Sequence, residues 1–215
     1  MQDVQTWILD FDGVVLESVA LREQALADAF ADNGFVDRQR VIALHRSYPG
    51  VHRAERIERI YRELSGSAPS NTQIKKTVEA FGSHCAQRLI CCPIVSGLDH
   101  WLADNAALPK YIVTAAPPDE TEKIMDSRGL RFHFKAIFGA PDRKPDLLRR
   151  ILEREKIQGK NAVFIGDRIS DWQAACDASV TFWARVPSGQ SHPFPPQVPI
   201  FDDFYSLPNP KWKKK

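Results

Sequence analysis

The chain has 215 residues, 43% hydrophobic and 26% charged, a balance that excludes a disordered protein and leaves room for one good core plus a modest insertion. A formal net charge of +2 excludes a general nucleic-acid binder, and the one concentrated basic run, KWKKK (Lys211–Lys215), reads as a solvated tail. Cys85, Cys91, Cys92 and Cys176 form neither a C-x-x-C pair nor a zinc pattern, the N-terminus lacks an apolar signal, and no apolar run reaches membrane-spanning length, so a cytoplasmic protein with reduced thiols and no membrane partner is expected.

Residues 6–10 (TWILD) predict a short buried strand. Leu21, Ala25, Leu26, Ala29 and Phe30 recur at helical spacing, and NGF at 33–35 stops that helix. A short helical stretch covers 37–47. RAERIERIYREL sets Ile57, Ile60, Tyr61 and Leu64 on one face against Arg and Glu on the other, an amphipathic helix that GSAPS breaks. Ser70 and Gln73 form a capping box, and Ile74, Val78, Phe81, Cys85 and Leu89 follow on one stripe. Residues 17–90 are therefore a run of helices. The pattern then alternates: helix 97–105, strand 110–116, helix 118–128, strand 135–140, helix 145–156 opening on Pro145, strand 161–167, helix 171–178, strand 179–186. Such alternation builds a parallel sheet covered on both faces. The first strand joins that sheet, which makes 17–90 an insertion. The Pro-rich stretch 187–210 is expected to be mostly irregular and to lie on the surface.

Ligands of an open parallel sheet bind beyond the carboxyl ends of its strands. Asp10 and Asp12 end the first strand, Thr114 the second and Asp167 the strand at 161–166, with Asp171 one helical turn further on; Lys144 stands directly before a helix. Clustered carboxylates raise one another's pKa, and a hard divalent cation relieves the repulsion. Mg²⁺ suits best, since it takes oxygen ligands and keeps several waters. Asp10 and Asp167 are the natural direct ligands, the Asp12 backbone carbonyl a third, and Asp171 binds the metal or holds its waters. Lys144 suits an anionic substrate as counter-charge. Thr114 offers a hydroxyl and Ala115 a backbone amide, so the set describes a phosphate site.

Four segments, DFDGV (10–14), IVTAA (112–116), RKPD (143–146) and GDRISD (166–171), resemble in order and spacing the sequence motifs of the haloacid dehalogenase (HAD) superfamily. The resemblance implies an α/β fold: a Rossmann-like parallel-sheet core of 1–16 and 91–187, an inserted C1-type helical cap over 17–90, and an irregular extension over 188–215. It implies a Mg²⁺-dependent phosphomonoester hydrolase. Asp10 would attack phosphorus and form an aspartyl-phosphate, and Asp12 would protonate the leaving oxygen and then activate water. Thr114, Ala115 and Lys144 would hold the phosphoryl oxygens, with Asp10, Asp12, Asp167 and Asp171 around the metal. Family dehalogenases lack an acid at the position of Asp12, which favours the phosphatase and phosphomutase branches. The stretch LHRSYPGVHRAER, broken by Pro49 and Gly50, offers His45, His52, Arg53 and Arg56 as cap residues that choose a small phosphorylated metabolite such as a sugar phosphate. The same resemblance leaves open a phosphomutase or a non-catalytic binding member, and it assigns no oligomeric state. Arg168 would meet substrate or point outward, while Trp172 and Trp183 read as packing residues.

Overall fold

The computed structural model describes residues 3–48 and 50–207; Pro49 and the Lys211–Lys215 run lie outside the described residues. The chain forms two compact units, one joining the segment through Glu17 to the chain from Pro93 onward, the other formed by Ser18–Cys92.

The first unit is built on a six-stranded parallel sheet of β1 (Thr6–Leu9), β2 (Lys110–Val113), β3 (Ala136–Phe138), β4 (Ala162–Gly166), β5 (Thr181–Arg185) and β6 (Ile200–Phe201), in the order β3-β2-β1-β4-β5-β6. β1, β2 and β4 are buried on both faces, as expected of central strands covered by helices on each side. Side chains alternate between those faces. Ile8 of β1 packs in a cluster with Tyr111, Val113, Phe164 and Phe182. Leu147, Leu148 and Ile151 of a helix spanning Lys144–Glu155 and Ala174 and Ala175 of one spanning Ile169–Asp177 cover this cluster. Trp7 faces the other way, edge-on to Trp101 at 5.1 Å and to Trp183 at 5.6 Å between ring centroids. Trp101 lies on a helix spanning Leu98–Asp104, and a further α-helix of this unit spans Pro118–Ser127.

The strand order reverses direction between β1 and β4, the switch point at which such sheets open a crevice. Register aligns the two strands there. Leu9 pairs with Ile165, and the Asp10 N–H donates to the Ile165 carbonyl at 2.8 Å. One residue further along each strand, Asp10 stands beside the Gly166–Asp167 turn.

Sequence reading missed β6. The stretch from 187 onward is not uniformly irregular, since Ile200 and Phe201 pair in parallel with Ala184 and Arg185. A two-residue strand is too short to carry an alternating pattern. Nor is the stretch only superficial: Phe194, Val198, Phe201 and Phe204 are buried, and Phe204 meets the Trp101 ring at 5.1 Å.

In the second unit the helices are α1 (Val19–Ala31), α2 (Arg38–Ser47), α3 (Arg53–Ser65) and α4 (Asn71–Leu89); those of the first unit continue as α5 (Leu98–Asp104), α6 (Pro118–Ser127), α7 (Lys144–Glu155) and α8 (Ile169–Asp177). The Ser70–Gln73 capping box is present at the start of α4. Gly66 closes α3 at φ 69°, a left-handed conformation that a side chain would strain. Phe30, Phe35 and Tyr61 form an aromatic cluster, and the Tyr61 hydroxyl shares a 2.7 Å hydrogen bond with Thr77 Oγ1. That bond explains why Thr77, and not the expected Val78, is the fully buried residue of its turn. Asp28 of α1 is ion-paired to both Arg38 and Arg88, and Glu23 accepts two hydrogen bonds from Arg46 at 2.7 and 2.6 Å.

Candidate active site

Asp10 leaves β1 almost fully buried, with its side chain held at both oxygens. Oδ1 accepts from the Phe11 N–H at 2.7 Å, and Oδ2 lies 3.0 Å from Lys144 Nζ. Burial pushes its carboxyl up to about 7, with the Asp171 and Asp12 charges adding to the effect and Lys144 opposing it.

Asp167 and Asp171 arrive from the end of β4 and the first turn of α8. Asp171 Oδ2 accepts from the backbone N–H of Arg168, the N-cap residue, at 3.1 Å, while Oδ1 takes a 2.7 Å bond from Lys144 Nζ. A carboxylate in the first helical turn also meets the positive end of the helix dipole. Asp167 is different. Its Oδ2 lies 3.9 Å from Arg168 Nε, but its buried Oδ1 has no hydrogen-bond partner among the described residues. Burial, then the Asp171 and Asp10 charges, raise its pKa well above the ordinary carboxylate value. One oxygen from each of Asp10, Asp167 and Asp171 falls within 4.8 Å of the others.

Lys144, the first residue of α7, bridges Asp10 and Asp171 and sits 5.7 Å above the Phe164 ring. Burial alone would lower its pKa, but the two carboxylates outweigh that and raise it, so the ammonium stays charged. Three acids face one buried cation, and the raised pKa values of Asp10 and Asp167 record the cost of ionising them together.

Thr114 follows β2 directly and is buried, its N–H bonded to the Phe138 carbonyl at 3.0 Å and its Oγ1 accepting from the Ala116 N–H at 3.1 Å. Ala115, the residue between, is exposed. Asp12 is half-buried in a turn after β1, where Gly13 has φ 74° and donates its N–H to the Leu16 carbonyl at 2.8 Å.

The structure thus brings Asp10, Asp167, Asp171 and Lys144 into one cluster, with Asp12 two residues from Asp10 and Thr114 and Ala115 at the end of the neighbouring strand. Asp171, expected to bind the metal or hold its waters, accepts from Lys144 and the Arg168 N–H and, like Asp10, still places an oxygen within 4.8 Å of the other two acids. His45, His52 and Arg53 belong to the second unit. His45 is buried on α2, His52 is the exposed N-cap residue of α3, and Arg53 lies over the Phe81 ring at 4.9 Å. Arg56 donates to the Tyr48 and Val51 carbonyls at 3.2 and 2.8 Å and so holds its own loop.

Two glycines that sequence reasoning left without a role shape the site. A Cβ on Gly166 would stand 2.5 Å from the Asp171 Cβ, so only glycine lets α8 bring Asp171 against the end of β4. A Cβ on Gly139 would meet the Ala116 carbonyl oxygen at 2.2 Å and the Thr114 methyl at 3.1 Å. Gly166 had a signal, its place inside GDRISD; Gly139 follows β3 outside any of the four motifs and had none.

Residues 7–185 match the family model described as haloacid dehalogenase-like hydrolase, and the chain belongs to that family. Among solved structures, it is similar to a predicted phosphoglycolate phosphatase from Haemophilus somnus, with 17% identity over 95% of this chain and 96% of that one and a TM-score of 0.77. It is similar also to CbbY from Rhodobacter sphaeroides in complex with phosphate (20% identity, 95% and 96% of the two chains, TM-score 0.77). A third is a Thermotoga maritima protein provisionally named β-phosphoglucomutase (20% identity, 88% and 89%, TM-score 0.65). At these identities the likeness concerns the fold. No curated protein matches the chain.

Proposed function

We propose that the protein is a Mg²⁺-dependent phosphomonoester hydrolase that acts on a small phosphorylated metabolite through an aspartyl-phosphate on Asp10. One observation carries the reading: three carboxylates, one with an orphaned buried oxygen, meet at the sheet's switch point, with a lysine bonded to two of them.

The donor set fits the metal. All three groups offer oxygen, the ligand a hard cation prefers, and Asp167 Oδ1 is a buried acceptor with no donor among the described residues. Asp10, Asp167 and the Asp12 carbonyl would hold the ion, which when bound neutralises the carboxylates and screens the nucleophile from the substrate's charge.

The protein's own groups do the rest. Asp10, aimed by the Phe11 N–H and Lys144, attacks phosphorus in line. Asp12 gives its proton to the leaving alcohol oxygen, and then takes one from the water that cleaves the acyl phosphate. Lys144, with Thr114 and the Ala115 amide, receives the phosphoryl oxygens as their charge redistributes. Asp171 is a positioning residue here: it holds the Lys144 ammonium between two acids. The second unit is the specificity-bearing cap in this reading, with His45, His52 and Arg53 the residues that choose the substrate. A cytoplasmic location accords with four free cysteines and with the absence, among the described residues, of any helix long and apolar enough to cross a membrane.

A second reading, a phosphomutase, uses the same acids and returns the phosphoryl group to a second hydroxyl; the Thermotoga neighbour's name favours keeping it. Incubation with a panel of phosphorylated metabolites separates the two. Release of inorganic phosphate supports the hydrolase, and isomerised ester without release supports the mutase. No turnover of either kind, with Mg²⁺ bound, favours a binding protein instead.

A further inference from the structure

The turn that carries Asp12 is held from outside by a residue absent from all four motifs. Arg185 ends β5 and is 5% exposed, so its charge must be matched locally. Its guanidinium makes four hydrogen bonds. Two go to the Glu17 carboxylate (Nη1 to Oε2 at 2.9 Å, Nη2 to Oε1 at 2.6 Å), one to the Gly13 carbonyl (Nη1, 3.2 Å) and one to the Asp202 carbonyl (Nε, 2.8 Å). Gly13 and Glu17 are the two ends of the turn that follows Asp12.

Inside that turn three backbone bonds close the chain. Gly13 N–H donates to Leu16 O, and Val15 N–H and Leu16 N–H to Phe11 O. The turn is paired in addition with the returning chain, where Glu17 N–H meets Pro93 O at 2.9 Å and Val95 N–H meets Val15 O at 3.0 Å. The peptide between Asp12 and Gly13 is held by the Gly13 N–H bond to Leu16 O, and Gly13, at φ 74°, is the flexible joint to the next peptide. Arg185 holds that next peptide, between Gly13 and Val14, by its carbonyl. With the peptides on both sides of Gly13 fixed, the backbone leaving Asp12 is fixed too, and with it the direction of the Asp12 side chain.

We propose that Arg185 is a positioning residue for proton transfer by Asp12: its planar fork pins both ends of the Gly13–Glu17 turn and thereby aims the Asp12 carboxyl at the leaving oxygen. Arginine is required for the geometry. Lysine offers a point charge and cannot bridge a carboxylate and two carbonyls in one plane. The C-terminal segment takes part, since Asp202 receives the fourth bond and its own carboxylate accepts from the Ser188 N–H at 2.9 Å. The proposal rests on the hydrolase reading.

The test uses the full chain with Mg²⁺ and two esters: p-nitrophenyl phosphate, whose leaving group departs without a proton, and the alkyl phosphate turned over fastest in the metabolite panel, whose leaving group needs one. The readout is kcat/KM, which reports the step in which the ester breaks. Arg185→Met is expected to lower the alkyl-to-aryl ratio of kcat/KM about tenfold or more, since misaiming a general acid costs on that order. Arg185→Lys should fall between, and Glu17→Gln, which leaves the carbonyl bonds in place, should shift the ratio in the same direction by about two- to fivefold. Equal losses on both esters in Arg185→Lys and Glu17→Gln would mean a merely structural role and would overturn the proposal, even if Arg185→Met failed to fold. Asp12→Asn keeps the two failures apart. A shifted ratio there with none in the Arg185 and Glu17 variants refutes the positioning role alone. No shift in Asp12→Asn refutes Asp12 as the proton donor and the proposal with it, and no turnover of either ester by the wild type refutes the underlying hydrolase assignment.

Discussion

At Asp167 a buried carboxylate oxygen faces no donor among the described residues, and burial together with two neighbouring acids opposes its ionisation. A cation is the partner this oxygen lacks. Asp167→Asn should therefore act in opposite directions on the two forms of the protein. In the metal-free protein at pH 8 it should raise the melting temperature, because it removes a charge that burial disfavours. At the same time it should weaken Mg²⁺ binding, read by titration calorimetry, by about tenfold or more. A melting temperature that fell without metal, with Mg²⁺ affinity intact, would contradict the assignment. Gly166 makes the complementary case for space. Gly166→Ala forces Asp171 away from a Cβ 2.5 Å distant, within a strand buried along its length. The expected cost is about 1–3 kcal/mol in a urea melt, with turnover down about tenfold or more as Lys144 loses its holder.

Among the elements, α1, α2 and α4 of the second unit share one charged centre. Asp28 is bonded to Arg88 and Arg38; burial alone would raise its pKa, but those two guanidinium groups outweigh burial and lower it. A carboxyl whose pKa is lower folded than unfolded stabilises the fold at pH values above the unfolded pKa, and the contribution is lost as pH falls through the folded one. Asp28→Asn should thus destabilise the protein by about 1–2 kcal/mol at pH 7, and the difference from the wild type should shrink as pH falls below the unfolded carboxyl pKa, followed by chemical denaturation across that range. A pH-independent difference would show that the pairing contributes nothing through charge. The elements themselves were largely legible. Hydrophobic periodicity located the α-helices and strands β1 to β5 within a few residues, because amphipathic stripes and short apolar runs are what a covered parallel sheet demands. Ser70 and Gln73 announced the start of α4 by chemistry local to one turn. What escaped depends on distant partners. Thr77 is buried because Tyr61 supplies its hydrogen bond, β6 exists because β5 offers an edge, and Arg185 has its carboxylate partner 168 residues earlier in the chain. The candidate site was legible where residues follow strand ends, and illegible where a glycine such as Gly139 matters only for what its missing side chain would strike.

The whole molecule joins a parallel sheet, a crevice at its switch point and a cluster of three acids whose ammonium is already shared by two of them. Such a cluster is unfavourable without a cation. EDTA should lower the melting temperature at pH 8 by a few degrees and abolish turnover, and added Mg²⁺ should restore both. The central claim is that Asp10 takes the phosphoryl group. The most direct measurement is an acid quench of the working enzyme with radiolabelled phosphate ester, followed by peptide mapping of the label. Label is expected on the peptide containing Asp10, and neither label nor more than about a thousandth of the turnover in Asp10→Asn. Turnover with the label on another residue, or wild-type turnover in Asp10→Asn, would contradict it.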